Sequence, residues 1–175
     1  MGWTGRGGYA RHDAEFTEYA MARTARLRET AYLLCGDWHR AQDLVQATLA
    51  KLYVAWPRLE RGEGFDAYAR RVLTNEFLGH QRRRSSSERV TDELPESAAR
   101  SEEHELRLTL LEALARLSPN RRAVVVLRYW EDHSVETVAD MLGMSTSAVK
   151  SVSVRAVAEL RSMLGTDFLV DLTSA

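Results

Sequence analysis

The chain has 175 residues, 45% of them hydrophobic, and its 24 lysines and arginines nearly balance 25 acidic residues, for a formal net charge of −1. A single cysteine, Cys35, excludes an internal disulfide and a cysteine-rich zinc site. No apolar run is long enough for a membrane span, and the glycine-rich start MGWTGRGGYARHD is typical of a mobile tail rather than a signal peptide. We therefore expect a cytoplasmic protein whose cysteine is a small buried residue.

Two amphipathic helices are predicted in the first third of the chain. Apolar residues recur at helical spacing from Asp13 to Leu34, and Gly36 ends this helix. Asp37 then caps a second helix, for which Pro57 is the stop. The outer face of the second helix mixes polar and small residues. Such a face can simply be solvated, or it can let another helix approach closely.

A third helix is predicted from Asp66 to about Arg83, after a loop with two glycines. Its inner side is apolar and aromatic, whereas arginines dominate its outer side. This combination suits single-stranded nucleic acid, because bases stack on rings while guanidinium groups hold phosphates. Core aromatics beside solvated arginines are the simpler interpretation, so this helix alone does not identify a function.

A polar and acidic stretch separates the two halves of the chain. It runs from Ser85 to about Ser101, contains Pro95 and has the composition of a flexible linker. Basic residues gather on both sides of it, so the near-zero net charge hides two basic faces and one acidic connector. We therefore expect two small helical domains.

The stretch from Arg121 to Leu164 predicts a supporting helix followed by a helix-turn-helix. Ser134 and Ser145 are placed to cap the last two helices, and Gly143 suits the left-handed backbone of the turn between them. In such a motif the final helix lies in the major groove and presents its polar front to base edges. An ordinary three-helix corner of an all-α domain is the alternative.

Three segments, taken in order, resemble the small two-domain sigma factors of bacterial RNA polymerase, the extracytoplasmic-function (ECF) group of the sigma-70 superfamily. The polymerase-binding helix of that group is similar to DWHRAQDLVQATLAKLYVAW, with DLVQ as its hallmark. The helix that meets the melted −10 promoter element is similar to FDAYARRVLTNEFLGHQRRR. The −35-reading domain is similar to SPNRRAVVVLRYWEDHSVETVADMLGMSTSAVKSVSVRAVAELRSML, so the resemblance covers roughly Phe16 to Leu164.

The resemblance implies an all-α fold of two small helical domains joined by a flexible acidic linker, the second containing the helix-turn-helix. Residues 13–84 would be sigma domain 2, which binds core polymerase and the −10 element. Residues 85–104 would be the linker, and residues 105–164 would be sigma domain 4, which binds the −35 element. The implied function is promoter-specific transcription initiation, including help with promoter melting, and it involves no enzymatic reaction, cofactor or metal.

The resemblance also implies partners and site residues. The partners would be promoter DNA and core RNA polymerase, through the clamp helices of its largest subunit; an anti-sigma factor is left open. Implied polymerase contacts are Asp43, Gln46 and Leu49. Implied −10 contacts are Tyr68, Arg70, Arg71, Asn75, Gln81, Arg82, Arg83 and Arg84, with the loop from Leu59 to Gly64 completing a pocket for a flipped base. Implied −35 contacts are Arg121, Arg122, Ser147, Lys150, Ser151, Val154 and Arg155.

The sequence departs from the family pattern at a few of these positions. Val152 stands where another basic residue is usual, Ser153 and Val154 replace bulkier residues, and Tyr68 stands where tryptophan is frequent. Fewer positive charges on the last helix predict weaker or different −35 readout. The tyrosine is a mild change, since either ring can stack.

Two other functions compete with this interpretation. A helix-turn-helix regulator that acts without polymerase would explain the second half but not the DLVQ helix or the aromatic and arginine-rich helix. An enzyme is disfavoured because the histidines are scattered, and the pair His104-Glu105 lacks the second histidine of a zinc-protease helix. No glycine-rich phosphate loop or nucleophile elbow is present.

Overall fold

The computed structural model describes residues 5–59, 64–86 and 102–165, and every element within these ranges is helical. The helices are α1 (Gly5–Cys35), α2 (Trp38–Ala55), α3 (Phe65–Ser86), α4 (Glu102–Arg116), α5 (Pro119–Val125), α6 (Val135–Leu142) and α7 (Thr146–Leu164). A 3₁₀ turn at Trp56–Arg58 follows α2, and a π-helical turn at Val126–Trp130 continues α5. The predicted all-α class is therefore confirmed, while the predicted linker lies largely outside the described residues.

The first helix begins earlier than its sequence pattern predicts. α1 starts at Gly5 rather than Asp13, so the prediction of a mobile tail is wrong from Gly5 onward. An i,i+4 ion pair between Arg11 and Glu15, at 3.0 Å, supports these early turns in spite of the glycines. The predicted start of α2 is confirmed, because the Asp37 carboxylate accepts a hydrogen bond from the Arg40 backbone N–H at 2.8 Å.

Helices α1, α2 and α3 form the N-terminal half around one apolar core. Its largest fully buried side chains are Leu27, Leu34, Leu52, Leu73 and Phe77. An aromatic group closes the end of this core, where the Trp56 ring lies edge-on to Phe16 and Phe65 at centroid distances of 5.2 Å. Burial raises the pKa of the neighbouring Tyr19 hydroxyl to about 12, so this phenol stays neutral.

Helices α4 to α7 form the C-terminal half, and α6 and α7 make the predicted helix-turn-helix. Ser134 caps α6 by accepting from the Thr137 N–H at 3.0 Å, and Ser145 caps α7 by accepting from the Ala148 N–H at 3.2 Å. Gly143 adopts φ 63° between the two helices. The sequence pattern gave no sign of the π-helical turn, whose wider ring is closed by the bond from the Glu131 N–H to the Val126 carbonyl at 3.0 Å.

The two halves pack directly against each other. Ala123 and Val126 of the C-terminal half are buried in the same apolar cluster as the core of α1, α2 and α3. In return, Leu33 of α1 and Ala67 of α3 pack against the two apolar clusters of the C-terminal half. The described residues thus form one body with an apolar seam between its halves.

We expect the turn glycine to be far more sensitive to substitution than a helical glycine. Gly143→Ala places a β-carbon on left-handed backbone and should lower the free energy of unfolding by about 1–2 kcal/mol. Gly79→Ala is the matched control, because its β-carbon would meet only the flexible Arg83 side chain, at 3.4 Å, inside α3. This control should be neutral or stabilising by up to about 1 kcal/mol. Urea unfolding measures both, and equal effects would contradict the assigned turn.

Candidate nucleic-acid interface

One face of α7 is exposed and collects most of the predicted −35 residues. Their spacing of three and four places them on one side of the helix, and all are exposed: Ser147, Lys150, Ser151, Val154 and Arg155. Val154 is 70% exposed, which is unusual for a branched apolar side chain. The opposite face of α7 is buried through Val149, Ala156 and Leu160. The helix therefore presents a short polar stripe with an apolar centre.

The two neighbouring arginines of α5 have different environments. Arg121 is about one-third exposed and forms an ion pair with Glu159 of α7. Arg122 is only 8% exposed and donates to three carbonyl oxygens, those of Leu34 at 2.7 Å, Ala115 at 2.8 Å and Leu117 at 3.3 Å. Burial lowers the pKa of the Arg122 guanidinium. In this arrangement Arg122 holds helix ends together and is closed off from phosphate.

A second exposed stripe lies on α3 and holds several of the predicted −10 residues. Tyr68, Arg71, Asn75 and Arg82 are all exposed, and at about 100° per residue they fall on one side of the helix. Arg83 and Arg84 are exposed as well, although Arg84 falls on the opposite side of the helix at this spacing, and Gln81 is half-buried. The stripe combines a ring, an amide and guanidinium groups. The loop that was predicted to complete a base pocket lies mostly outside the described residues.

Arg70 stands apart from this stripe, although the sequence predicts it as a −10 contact. Its residue is 6% exposed, and its Nε donates to Glu131 Oε2 at 3.0 Å. The same carboxylate accepts a hydrogen bond from the hydroxyl of Thr30, which is fully buried. Sequence reasoning missed Glu131 and Thr30, since residues so far apart in the chain carry no local signal of their contact.

The predicted polymerase-binding residues lie on the outer face of α2. Asp43 and Gln46 are exposed and one turn apart, while Leu49 is half-buried and packs against the N-terminal core. The structure thus brings two polar side chains and one apolar side chain to a single helix face. Such a face suits a partner helix that is itself polar at its edges and apolar at its centre.

The structure gives little sign of catalytic chemistry in the residues that it describes. Among residues 5–59, 64–86 and 102–165, no three His, Cys, Asp or Glu side chains lie close enough to hold a metal ion. Burial raises the pKa of the Cys35 thiol to about 11, so it stays protonated and unreactive near neutral pH. Over the same residues, no helix has the length and apolar content to cross a membrane.

A helix-turn-helix whose last helix keeps one exposed face has the geometry of a DNA-binding protein that reads the major groove. Residues 21–87 match the family Sigma-70 region 2, and residues 113–162 match Sigma-70, region 4. The RNA polymerase sigma-E factor of Streptomyces coelicolor is 43% identical over 152 residues, which cover 86% of each chain. The ECF RNA polymerase sigma factor SigE of Mycolicibacterium smegmatis is 32% identical over 79% of this chain and 57% of its own.

A solved structure supports the same assignment. The sigma factor RpoE of Bartonella quintana, crystallised with the anti-sigma factor NepR, superposes with a TM-score of 0.69 at 25% identity, over 87% of this chain and 98% of its own. The chain belongs to the sigma-70 family and is an ECF sigma factor. It binds core RNA polymerase and promoter DNA and directs promoter-specific transcription initiation, a regulatory rather than enzymatic role in this family.

The contrasting environments of the α5 arginines lead to a prediction. Arg122→Ala leaves three carbonyls at two helix ends without this donor and should lower the free energy of unfolding by about 3 kcal/mol. Arg121→Ala, the adjacent control, removes only a part-exposed ion pair and should cost at most about 1 kcal/mol. Urea denaturation followed by circular dichroism measures both variants. A small loss for Arg122→Ala would show that this side chain is not structural.

Proposed function

We propose that residues 13–84 form the domain that binds core polymerase and the −10 element, and that residues 105–164 form the domain that reads the −35 element, with residues 85–104 joining them. The observation that carries this proposal is the exposed stripe of α7, since a recognition helix needs one face free of the protein and one face fixed by its core. The stripe on α3 supports the other half of the proposal.

At the −35 element, three side chains of α7 are chemically suited to contact base edges. Lys150 can donate to the acceptor oxygen and nitrogen of guanine in the major groove, and the Ser151 hydroxyl suits either base of a pair. The Val154 methyl groups suit the methyl group of thymine. Arg155 and Arg121 lie beside them as phosphate contacts, and Ser147 lies at the front of the helix. We leave Arg122 out of this surface, because its guanidinium is buried and donates to three backbone carbonyls.

At the −10 element, the α3 stripe offers a surface for an unpaired strand. The Tyr68 ring can stack on a base, and the Asn75 amide can hydrogen-bond a base edge. Arg71 and Arg82 to Arg84 would neutralise successive phosphates, with Gln81 at the edge. Stacking compensates for base pairs lost on melting, which explains why ring and guanidinium groups occur together here. Arg70 would join this surface only when it is released from Glu131.

For core polymerase, we propose that the α2 face docks on the clamp helices of the largest subunit. Asp43 and Gln46 would supply polar contacts, and Leu49 the apolar centre. We further propose that the protein works in the cytoplasm without a catalytic reaction, cofactor or metal of its own. Because the Bartonella relative was crystallised with an anti-sigma factor, such a protein is also a candidate partner.

The polymerase contact can be tested on the exposed residues of α2. Asp43→Arg combined with Gln46→Ala should abolish co-purification with core polymerase while leaving the helical circular dichroism spectrum unchanged, because both side chains are exposed. Glu112→Arg, an exposed charge reversal on α4, is the control and should bind normally. Holoenzyme assembly by the double variant would refute the proposed docking face.

The α7 stripe can be tested with modified DNA. The thymines of the −35 element are replaced one at a time by deoxyuridine, which lacks the methyl group. At one position the binding free energy of the wild-type holoenzyme should weaken by about 0.8 kcal/mol, the contribution of one buried methyl group. Val154→Ala should be insensitive to that replacement, whereas Lys150→Ala should bind more weakly and keep the sensitivity. Fluorescence anisotropy at fixed salt measures each affinity. If the Val154→Ala variant lost as much affinity on deoxyuridine replacement as the wild type, Val154 would not be the residue that contacts the thymine methyl group.

A further inference from the structure

We infer that Glu131 closes an intramolecular clasp, which holds the C-terminal half against the N-terminal half in the free protein and must open before both promoter elements can be read. The clasp is formed by Glu131, Arg70 and Thr30. This inference rests on the proposed function, because it takes the −10 and −35 elements as the sites of the two halves. It adds a regulatory contact that none of the binding surfaces requires.

Within the part of the chain that the structure describes, the hydrogen-bond and ion-pair partners of the Glu131 carboxylate come from the other half. Its Oε2 accepts from Arg70 Nε of α3 at 3.0 Å, and its Oε1 accepts from the Thr30 hydroxyl of α1. Arg26 Nε of α1 lies 3.8 Å from Oε1. The Glu131 and Arg70 side chains are only 5% and 8% exposed. The carboxylate of one half is therefore bound by side chains of the other half.

The buried pair of Glu131 and Arg70 is stable only while the two halves are packed together. A carboxylate and a guanidinium are costly to bury unless each is paired, so Glu131 and Arg70 both need the other half in place. When the halves separate, both charges return to water and neither is left unpaired. The hydrogen bonding of this pair is also incomplete, because Arg70 Nη1 is buried without a hydrogen-bond acceptor. When the halves separate, water can hydrogen-bond this donor, and this gain lowers the free energy needed to open the closed state.

Further contacts cross the seam, each between a guanidinium group on one half and a ring or carbonyl group on the other. Arg26 Nη2 donates to the Trp130 carbonyl at 3.3 Å, and its guanidinium lies 5.1 Å from the Trp130 ring centroid. At the other end of the seam, Arg107 of α4 lies over the stacked rings of Tyr32 and Trp38, at 5.3 and 5.7 Å. The clasp is thus one of several polar contacts that join the two halves.

The closed body is too small to read both elements at once. The −10 and −35 elements lie about 25 base pairs apart, or roughly 85 Å of duplex at 3.4 Å per base pair. A compact chain of 175 residues has a radius of gyration of only about 16 Å. The halves must therefore separate on promoter DNA, and any contact that stabilises the closed form lowers the fraction of chain ready to initiate.

The test compares the wild type with Glu131→Ala and with Thr30→Val, which removes only the hydroxyl on the other side of the clasp. Glu112→Ala is the matched control, since it removes an exposed carboxylate from the same half. Small-angle X-ray scattering of the free full-length proteins should show a larger radius of gyration for both clasp variants than for the wild type and control. Hydrogen exchange within α2 and α7 checks that each half stays folded.

The functional arm titrates each protein with core polymerase on a promoter fragment that the wild-type holoenzyme selects from genomic DNA. Glu131→Ala should reach half-maximal run-off transcription at about tenfold lower protein concentration, because apparent affinity scales with the open fraction. Equal radii for all four proteins, or opening without a gain in initiation, would overturn the clasp. Absence of initiation by the wild-type holoenzyme at every fragment would instead overturn the proposed function, while the scattering comparison would still decide whether the clasp exists.

Discussion

The buried guanidinium of Arg122 connects more of this structure than any other side chain described here. It donates to the carbonyl of Leu34 in the last turn of α1 and to the carbonyls of Ala115 and Leu117 at the end of α4. It also lies over the ring of Phe77 in α3, 5.8 Å from the centroid. Helix C-termini leave carbonyl groups without intrahelical partners, and a cation there satisfies both their hydrogen bonding and their partial charge. One side chain of α5 thereby fixes the ends of two helices and the face of a third.

The same constraint explains how the binding surfaces are arranged. With α5 held against the N-terminal half, the recognition stripe of α7 stays exposed in the closed body. The α2 face with Asp43 and Gln46 also stays exposed in the closed body. In the proposed docking mode, polymerase would reach the N-terminal half while the halves are still together. The clasp would then act on a later step, the separation of the halves along the promoter.

The sequence predicted the features that depend on neighbours along the chain. Helical periodicity located the helices, and the caps at Asp37, Ser134 and Ser145 and the turn at Gly143 follow from local backbone chemistry. The exposed stripes of α3 and α7 were predictable for the same reason. Periodicity also gave the outer face of α2, since exposed and buried positions alternate regularly along a helix.

The features that depend on the packing of the two halves were not predictable. Arg70 and Arg122 read as surface arginines, because their acceptors lie on distant helices and leave no pattern near them. Family resemblance placed both on DNA, and only the folded chain shows them engaged with protein. Residues 60–63 and 87–101, which include the predicted base pocket and most of the linker, lie outside the described residues. The −10 pocket therefore stays a prediction.

The π-helical turn at Val126–Trp130 determines where the carboxylate of Glu131 points. Its backbone closes through the bond from the Glu131 N–H to the Val126 carbonyl, five residues back instead of four. Each residue of an ordinary helix rotates the side chain by about 100°, so one extra residue in the ring re-aims everything that follows it. Shortening this segment by a single residue would rotate the Glu131 carboxylate away from Arg70 and Thr30. The polymerase and DNA surfaces would keep every one of their side chains, yet the C-terminal half would lose the carboxylate that binds Thr30 and Arg70 of the N-terminal half.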